Sequence, residues 1–281
     1  MGINLEYLTL LQSLKKQDLL SSGAVLELGA QDISADHKDM ATHNKRFNNA
    51  SDSPDCIDTA ALLYEVMGYP RYQAIDATGE YGAHVFDLNE DIASKYDFHE
   101  EFELVTNLGT IEHCFNPAVA FENVHKFCKK GGLMIHAFPS NGNANHGFYN
   151  MQPRLFAILA QANEYETLEF VFTVDYKPVL NEFSHKSYAA HDDRDLMCYV
   201  VFRKMNDKPF VSPFDSIFDD KNKLKGYKTA LDINEFRSYI KGTWQNVKPK
   251  NIASVPVEII RATNPIRKII KRIYDIIGRY V

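Results

Sequence analysis

The chain has 281 residues, of which 45% are hydrophobic and 24% charged, a composition typical of a globular protein with a substantial core. Its formal net charge of −6 disfavours nucleic acid as a partner, and no apolar run of about 18 residues predicts a membrane-spanning helix. With no secretory signal, we expect a cytoplasmic protein. The four cysteines show no C-x-x-C spacing, which favours reduced thiols over a zinc site or disulfides.

The first predicted elements are a helix over Asn4 to Lys16 and a strand over Ala24 to Leu28. Leucines recur on one face of the helix, and the strand is a short apolar run of the kind that is buried in parallel sheets. Gly29 ends the strand, and a glycine there allows a sharp turn and the close approach of a ligand. These residues alone leave an ordinary turn and a nucleotide-binding crevice equally open.

A polar segment without periodicity follows, from Ser34 to Pro54. A loop of this length in a compact domain is usually functional or mobile. It is either a solvated insertion or a lid over the crevice, and as a lid it would bring three side chains to the substrate: His37, His43 and Arg46. A helix is predicted next, over Asp55 to Met67, with Asp55 as its cap and Gly68 beyond its end.

Acidic residues end the next two predicted strands. Asp76 follows the strand Arg71 to Ile75, and Asp87 with Leu88 follows the strand Ala83 to Phe86. A carboxylate can accept two hydrogen bonds from a vicinal diol such as that of a ribose. Each aspartate has a structural alternative, because aspartate is also common in turns.

The later elements continue the alternation of strand and helix, which is typical of an α/β sheet. They are predicted over Glu101 to Thr106, Pro117 to Cys128, Leu133 to Phe138, Pro153 to Asn163, Glu166 to Val174 and Leu196 to Arg203.

The sequence resembles the class I S-adenosylmethionine-dependent methyltransferases, and the resemblance covers about residues 20 to 205. It is carried by the order and spacing of Val-Leu-Glu-Leu-Gly, Ile-Asp, Phe-Asp-Leu, Phe-Glu-Leu-Val-Thr-Asn, Ile-Glu-His and Lys-Lys-Gly-Gly-Leu-Met-Ile. The resemblance implies a doubly wound, mostly parallel seven-stranded sheet that ends in an antiparallel hairpin. It also implies S-adenosylmethionine as the cofactor and methyl transfer to a small molecule.

The resemblance places the cofactor on residues at the ends of the strands. It implies Glu27, Gly29 and Gln31 along the methionine and ribose, Asp76 at the ribose hydroxyls, Asp87 and Leu88 at the adenine, and Asn107 at the methionine portion. Gln31 stands where the family commonly has a second glycine, so the loop must close with this side chain turned outward or onto the cofactor. A non-catalytic cofactor-binding or assembly protein of the same fold is the alternative.

The loop after the predicted strand Leu133 to Phe138 is the candidate acceptor site. Its polar side chains suit a small polar acceptor such as a sugar or sugar-linked intermediate: Asn145, His146, Tyr149 and Asn150. Histidine is a common general base at neutral pH, and His146 is the candidate base for O-methyl transfer, with His113 as its rival and Tyr149 beside it. The alternative is a polar connection without catalytic function.

No metal site is expected, since the adjacent side chains of His191, Asp192 and Asp193 cannot all point one way in an extended segment. Residues 206–263 are predicted to form an irregular or helical arm. Residues 264–281 are predicted to form a basic amphipathic helix, which suits a membrane surface, a partner protein or a second copy of the chain. Docking of its isoleucine face on its own domain is the alternative.

Overall fold

A computed structural model describes residues 2–35, 40, 57–174, 177–179 and 194–214, and the following account is confined to them. The helices are α1 (Leu5–Lys16), α2 (Ala60–Val66), α3 (Ile92–Tyr96), α4 (Pro117–Phe127) and α5 (Pro153–Asn163), with 3-10 turns at Glu80–Gly82 and Ile111–His113. The strands are β1 (Ala24–Leu28), β2 (Arg71–Ile75), β3 (Phe102–Leu108), β4 (Cys128–Asn141), β5 (Glu166–Val174), β6 (Lys177–Val179) and β7 (Leu196–Arg203).

The strands form one sheet in the order β2-β1-β3-β4-β7-β5-β6. Strands β2, β1, β3 and β4 are parallel, whereas β7 runs antiparallel to both β4 and β5, and β6 runs antiparallel to β5. The predicted doubly wound α/β sheet with an antiparallel end is therefore confirmed. Its parallel arrangement brings the carboxyl ends of β1 to β4 to one edge.

Both faces of the sheet are covered, which explains why β1 is apolar with little alternation. Leu26 and Leu28 pack on one face with the side chains of α4 and α5. Val25, which points the opposite way, packs on the other face with α1 and α2. Every residue of β1 is consequently buried, including the acidic Glu27.

The third predicted strand is the main correction to the sheet. Residues Ala83 to Phe86 make only one bridge, from His84 to Ile75. The backbone N–H of Phe86 donates to His84 O at 2.9 Å, and this tight turn ends the pairing. The seventh strand is instead the short β6, which was not predicted.

The two largest differences from the predicted boundaries lie in β4 and α2, and the ends of the other predicted elements differ by at most two residues. Strand β4 is longer than Leu133 to Phe138 because Cys128 already pairs with Phe102, across a register shift. Helix α2 begins only at Ala60, where the side chain of Thr59 accepts a hydrogen bond from Leu62 N at 3.2 Å and provides the cap. The predicted cap, Asp55, lies outside the described residues.

Several sequence predictions cannot be followed in the structure. The parts of the chain outside the described residues include His37, His43 and Arg46, most of the segment 34–54, and residues 215–281. The last range contains the predicted amphipathic helix. Within the described ranges, no helix combines the length and apolar character needed to cross a membrane.

Gly29 forms the turn out of β1 with a left-handed φ of +79°. A Cβ on this residue would overlap the hydroxyl of Thr110 and lie 2.9 Å from Nε2 of Gln31. Gly131 has nearly the same φ, +83°, but a Cβ there would have no atom within 4 Å. Both glycines therefore have a left-handed backbone, but only Gly29 has described atoms close to the position of a Cβ.

We expect Gly29→Ala to lower the free energy of unfolding by about 2–4 kcal/mol, because left-handed strain and overpacking add. Gly131→Ala is the matched control and should cost about 1–2 kcal/mol, from the strain alone. Urea unfolding of both variants measures the difference. Equal losses would show that Thr110 and Gln31 accommodate the added methyl group.

Candidate active site

Hydrogen bonds join the loops at the carboxyl edge of the parallel strands. Gly29 N donates to Ile75 O at 2.8 Å, Thr110 Oγ1 donates to Leu28 O at 2.7 Å, and Gly109 N donates to Ala137 O at 2.9 Å. The strand order reverses at β1, and ligands bind at such a switch point in open α/β sheets. The predicted cofactor residues lie along this edge or just beneath it.

Asp76 is held between its own turn and the loop after β1. Its Oδ2 accepts from Ala30 N at 3.0 Å, while Oδ1 accepts from the backbone and hydroxyl of Thr78 at 2.8 and 2.7 Å. Partial burial raises the pKa of Asp76, but the bonds from Thr78 and Ala30 outweigh it and the net pKa is lowered. A carboxylate offers about four acceptor positions. Roughly one therefore remains on the ionised group for a ligand.

Asp87 lies beyond the bridge that pairs with the end of β2. Its Oδ1 accepts from the backbone and side-chain nitrogens of Asn89 at 2.9 and 2.8 Å, and these bonds lower its pKa. Leu88 is buried beside it. Asn116 N donates to the Asn89 side chain at 2.8 Å, which connects this turn to the segment after β3.

Asn107 is almost completely buried within β3. Its Oδ1 accepts from Thr110 N at 3.1 Å and from Ile111 N at 3.0 Å. The amide oxygen thus shapes the turn that leads into the 3-10 segment. Any contact of Asn107 with a ligand would have to use its amide nitrogen, which lies 3.4 Å from His136 Nδ1.

Glu27 lies beneath the loop after β1, on the face that packs against α1 and α2. Its carboxylate accepts from the hydroxyls of Tyr64 and Tyr72 at 3.0 and 2.8 Å and from Gln31 N at 3.3 Å. Burial raises its pKa to about 7, against the opposing effect of these hydrogen bonds. Glu27 therefore anchors the loop to the core.

Gln31 turns inward. Its Nε2 donates to Gly29 O at 3.4 Å and to Thr110 Oγ1 at 3.3 Å, and the residue is only 7% exposed. The loop without a second glycine is consequently closed by an amide folded over Gly29.

A second group of side chains lies after β3 and β4. Glu112 and His113 belong to a 3-10 turn, and the backbone N–H groups of Phe148 and Tyr149 donate to Glu112 O at 2.9 and 3.3 Å. These bonds bring the loop after β4 across the turn, so that the His113 and His146 rings lie edge to face with centroids 5.0 Å apart. The two rival bases are therefore neighbours.

Glu112 is completely buried, and among the described residues neither of its carboxylate oxygens has a hydrogen-bond partner. Burial raises its pKa to about 7. His146 Nε2 lies 3.9 Å from Glu112 Oε1. Burial also lowers the pKa of His113, with a further contribution from the nearby His146.

The other predicted acceptor residues mostly hold the loop together. Tyr149 donates its hydroxyl to Phe115 O at 2.9 Å, and Asn150 Nδ2 donates to Gly142 O at 2.9 Å. Asn145 is exposed with a left-handed φ of +65°. Asn150 is exposed as well, whereas Tyr149 is half-buried.

A cavity of about 370 Å³ adjoins His146. It lies between the start of α1, the segment around Ser34 and the loop after β4, and is lined by Gly2, Asn4, Glu6, Ser34, Asn143, His146 and Met197. Ile3 fixes this arrangement, since its N–H donates to Asp32 O at 2.8 Å and its carbonyl accepts from Ser34 N at 2.9 Å.

Sequence reasoning missed Glu112, Thr110 and the residues of the N-terminal segment as parts of the site. The acid in Ile-Glu-His, directly after a buried isoleucine, was the available signal for Glu112. The polar residues before α1 carry no comparable signal, because a helix cap and a solvent-facing position explain Asn4 and Glu6 equally well.

No family model matches the sequence, and no curated protein matches it either. Among solved structures, TehB from Haemophilus influenzae has a TM-score of 0.42 and 10% identity, over 68% of this chain and 61% of TehB. The chain thus spans about three fifths of TehB. The N-methyltransferase NodS from Bradyrhizobium japonicum, in complex with S-adenosyl-L-homocysteine, has a TM-score of 0.40 and 14% identity, over 72% of this chain and 87% of NodS.

A third similar structure is the Burkholderia thailandensis 1,6-didemethyltoxoflavin-N1-methyltransferase, which holds 1,6-didemethyltoxoflavin and S-adenosylhomocysteine. Its TM-score is 0.39 at 11% identity, over 71% of this chain and 78% of that enzyme. The second and third structures are methyltransferases by name. At such low scores and identities, a function for this chain must be inferred from the geometry of its own site.

The buried Glu27 makes stability depend on pH. Its pKa is about 7 in the folded chain against an ordinary 4.5, so the folded state binds this proton more tightly than the unfolded state. The stabilisation of the folded state by this bound proton is greatest below about pH 4.5 and is lost as the pH rises towards 7. We expect Glu27→Gln to reduce the fall in unfolding free energy between pH 5 and pH 8 by about 2–3 kcal/mol.

Urea unfolding at several pH values measures this difference, with the surface change Glu80→Gln as the control for loss of a carboxylate. If the unfolding free energy of the wild type and of Glu27→Gln fell equally between pH 5 and pH 8, the surroundings of Glu27 would not be raising its pKa.

Proposed function

We propose that this chain is an S-adenosylmethionine-dependent methyltransferase that acts on a small polar acceptor, with O-methyl transfer favoured. The observation that carries the proposal is the arrangement at one sheet edge. A glycine turn and two ionised aspartates, Asp76 and Asp87, lie at the ends of β1, β2 and the bridge beside it. The Glu112, His113 and His146 group lies after the neighbouring strands β3 and β4.

The cofactor half of the site suits a nucleoside. In this proposal Asp76 uses its remaining acceptor position for a ribose hydroxyl, Asp87 lies at the adenine amino group, and Leu88 supplies an apolar contact. Glu27 and Gln31 act indirectly, since they hold the loop that passes the methionine portion. Asn107 contributes through the turn that it shapes.

The acceptor half of the site is the cavity beside His146. Its volume of about 370 Å³ falls in the range of small-molecule sites. Most of the surface that lines it is apolar, but five of the residues around it carry hydroxyl, amide, carboxylate or imidazole groups: Asn4, Glu6, Ser34, Asn143 and His146. Such a lining supports a hydroxylated acceptor, and a sugar or sugar-linked compound is our specific suggestion.

Methyl transfer to a hydroxyl releases a proton, and the proposal gives His146 the central role in that step. An imidazole can take the proton directly as a general base, or it can bind a cation that makes the hydroxyl more acidic. His113 is close enough to share either role. The hydroxyl of Tyr149 donates a hydrogen bond to Phe115 O, which supports a positioning role for Tyr149.

A non-catalytic protein of the same fold is the second candidate. Two observations favour it: the amide of Gln31 folds over Gly29, and Asp76 already accepts three hydrogen bonds. Both would reduce the room or the bonding capacity for a cofactor. Calorimetric titration with S-adenosylhomocysteine decides between a cofactor-binding site and a closed one.

We expect Asp76→Ala to weaken S-adenosylhomocysteine binding about 10- to 100-fold, the effect of losing one hydrogen bond to a charged group. Asp207→Ala is the control. It removes the same charge at the opposite edge of the sheet, where β7 ends opposite the beginning of β4. Calorimetry of both variants tests the assignment, and an unchanged Kd in Asp76→Ala would refute it.

With an acceptor identified, we expect His146→Ala to retain cofactor affinity and to lose about 10²- to 10⁴-fold in turnover. His113→Ala should lose less, and His99→Ala should match the wild type, because His99 lies near the amino end of β3. Turnover and calorimetric affinity are measured on the same preparations. If His146→Ala turns over like the wild type, the central role passes to His113.

A further inference from the structure

The buried carboxylate of Glu112 is the least satisfied polar group at the site. Its side chain has no solvent exposure, and both oxygens lack a hydrogen-bond partner in the part of the chain that the structure describes. Most buried polar groups are hydrogen-bonded, and burial of a carboxylate without a partner is costly. The backbone carbonyl of the same residue, in contrast, accepts from both Phe148 and Tyr149. The fold therefore holds this residue in place while leaving its carboxylate free to bind.

Two imidazoles lie beside that carboxylate. The potential donor atoms of Glu112, His113 and His146 all lie within 4.8 Å of one another, and His146 Nε2 is 3.9 Å from Glu112 Oε1. Donors around a tetrahedral ion with bonds of about 2.0–2.1 Å are roughly 3.3 Å apart, so only a small contraction is needed. His146 can supply it, because its side chain is 39% exposed and lies on a loop.

We propose that Glu112, His113 and His146 bind a divalent transition-metal cation between the turn after β3 and the loop after β4. The proposal deepens the proposed function and rests on it for its catalytic meaning, although binding of the cation is measurable without any methyl transfer.

The donor set selects the kind of cation. Magnesium, calcium and manganese prefer oxygen ligands, whereas imidazole nitrogens suit zinc, copper, iron and nickel. One carboxylate and two imidazoles leave coordination positions open on the side of the cavity that His146 lines. The cation would also supply the partner that the buried Glu112 carboxylate otherwise lacks.

The consequence for the reaction is a change in the role of His146. A hydroxyl that occupies an open position on a divalent cation loses its proton more readily. His146 then acts as a ligand rather than as a free base. The acceptor's proton leaves to solvent, and the methyl group moves from the sulfonium of the cofactor to the acceptor oxygen, leaving a thioether.

The test is calorimetric titration of the chelator-treated 281-residue protein with Zn²⁺ and with Ni²⁺. We expect one site whose Kd rises about ten-fold or more in Glu112→Gln and in His146→Ala. His99→Ala is the matched control. His99 also lies close to a carboxylate, Asp97 at 3.1 Å, but among the described residues it belongs to no group of three potential metal ligands. Its Kd should equal that of the wild type.

Glu112→Gln keeps the shape of the side chain and removes a buried charge, and His146→Ala changes a half-exposed loop residue, so at least one variant should remain folded. Cation binding that is unchanged in the folded variants, or absent from the wild type, overturns the proposal. Cation binding without binding of S-adenosylhomocysteine overturns the proposed function alone. Turnover that survives chelation, in a protein that binds no cation, overturns the metal site alone.

Discussion

The buried carboxylate of Glu27 is the contact on which the arrangement of the sheet edge depends. It lies in strand β1, between β2 and β3, and joins three parts of the chain: Tyr64 from α2, Tyr72 from β2 and the backbone of Gln31. This anchor adds to the bonds that Gly29 N and Ala30 N make with Ile75 O and the Asp76 carboxylate. An acid in the core is expensive, and its three hydrogen bonds show how the fold compensates for it.

Much of the fold could be predicted from the sequence because its signals are local. Helix α5 and strands β5 and β7 occur with the predicted bounds, since each has a clear periodicity and a clear end. The strand predicted for Ala83 to Phe86 was wrong, because the contacts that decide its conformation are not visible in the local sequence pattern. Phe86 stacks on Tyr96 of α3 and packs edge to face against Phe98 instead of extending a strand. The short β6 likewise depends on a partner, β5, for its existence.

The candidate site was predictable only in part. The aspartates and the glycine turn were found because they end strands, and the ends of parallel strands meet in space. Glu112 was not, because its significance comes from burial and from the approach of a loop that follows a different strand. The inward amide of Gln31 depends in the same way on Thr110, a residue distant in sequence. Whether the predicted residues bind a cofactor or an acceptor stays a prediction.

The pairing of Ile3 with the chain around Ile33 has a practical consequence for anyone who prepares this protein. Gly2 lines the cavity beside His146 and lies so close to Asp32 O that a Cβ would be 2.5 Å from it. An affinity tag joined ahead of Gly2 therefore begins at the wall of this cavity and reduces the space within it. Under the proposed function the cavity holds the acceptor, so ligand screening calls for a preparation from which such a tag has been removed.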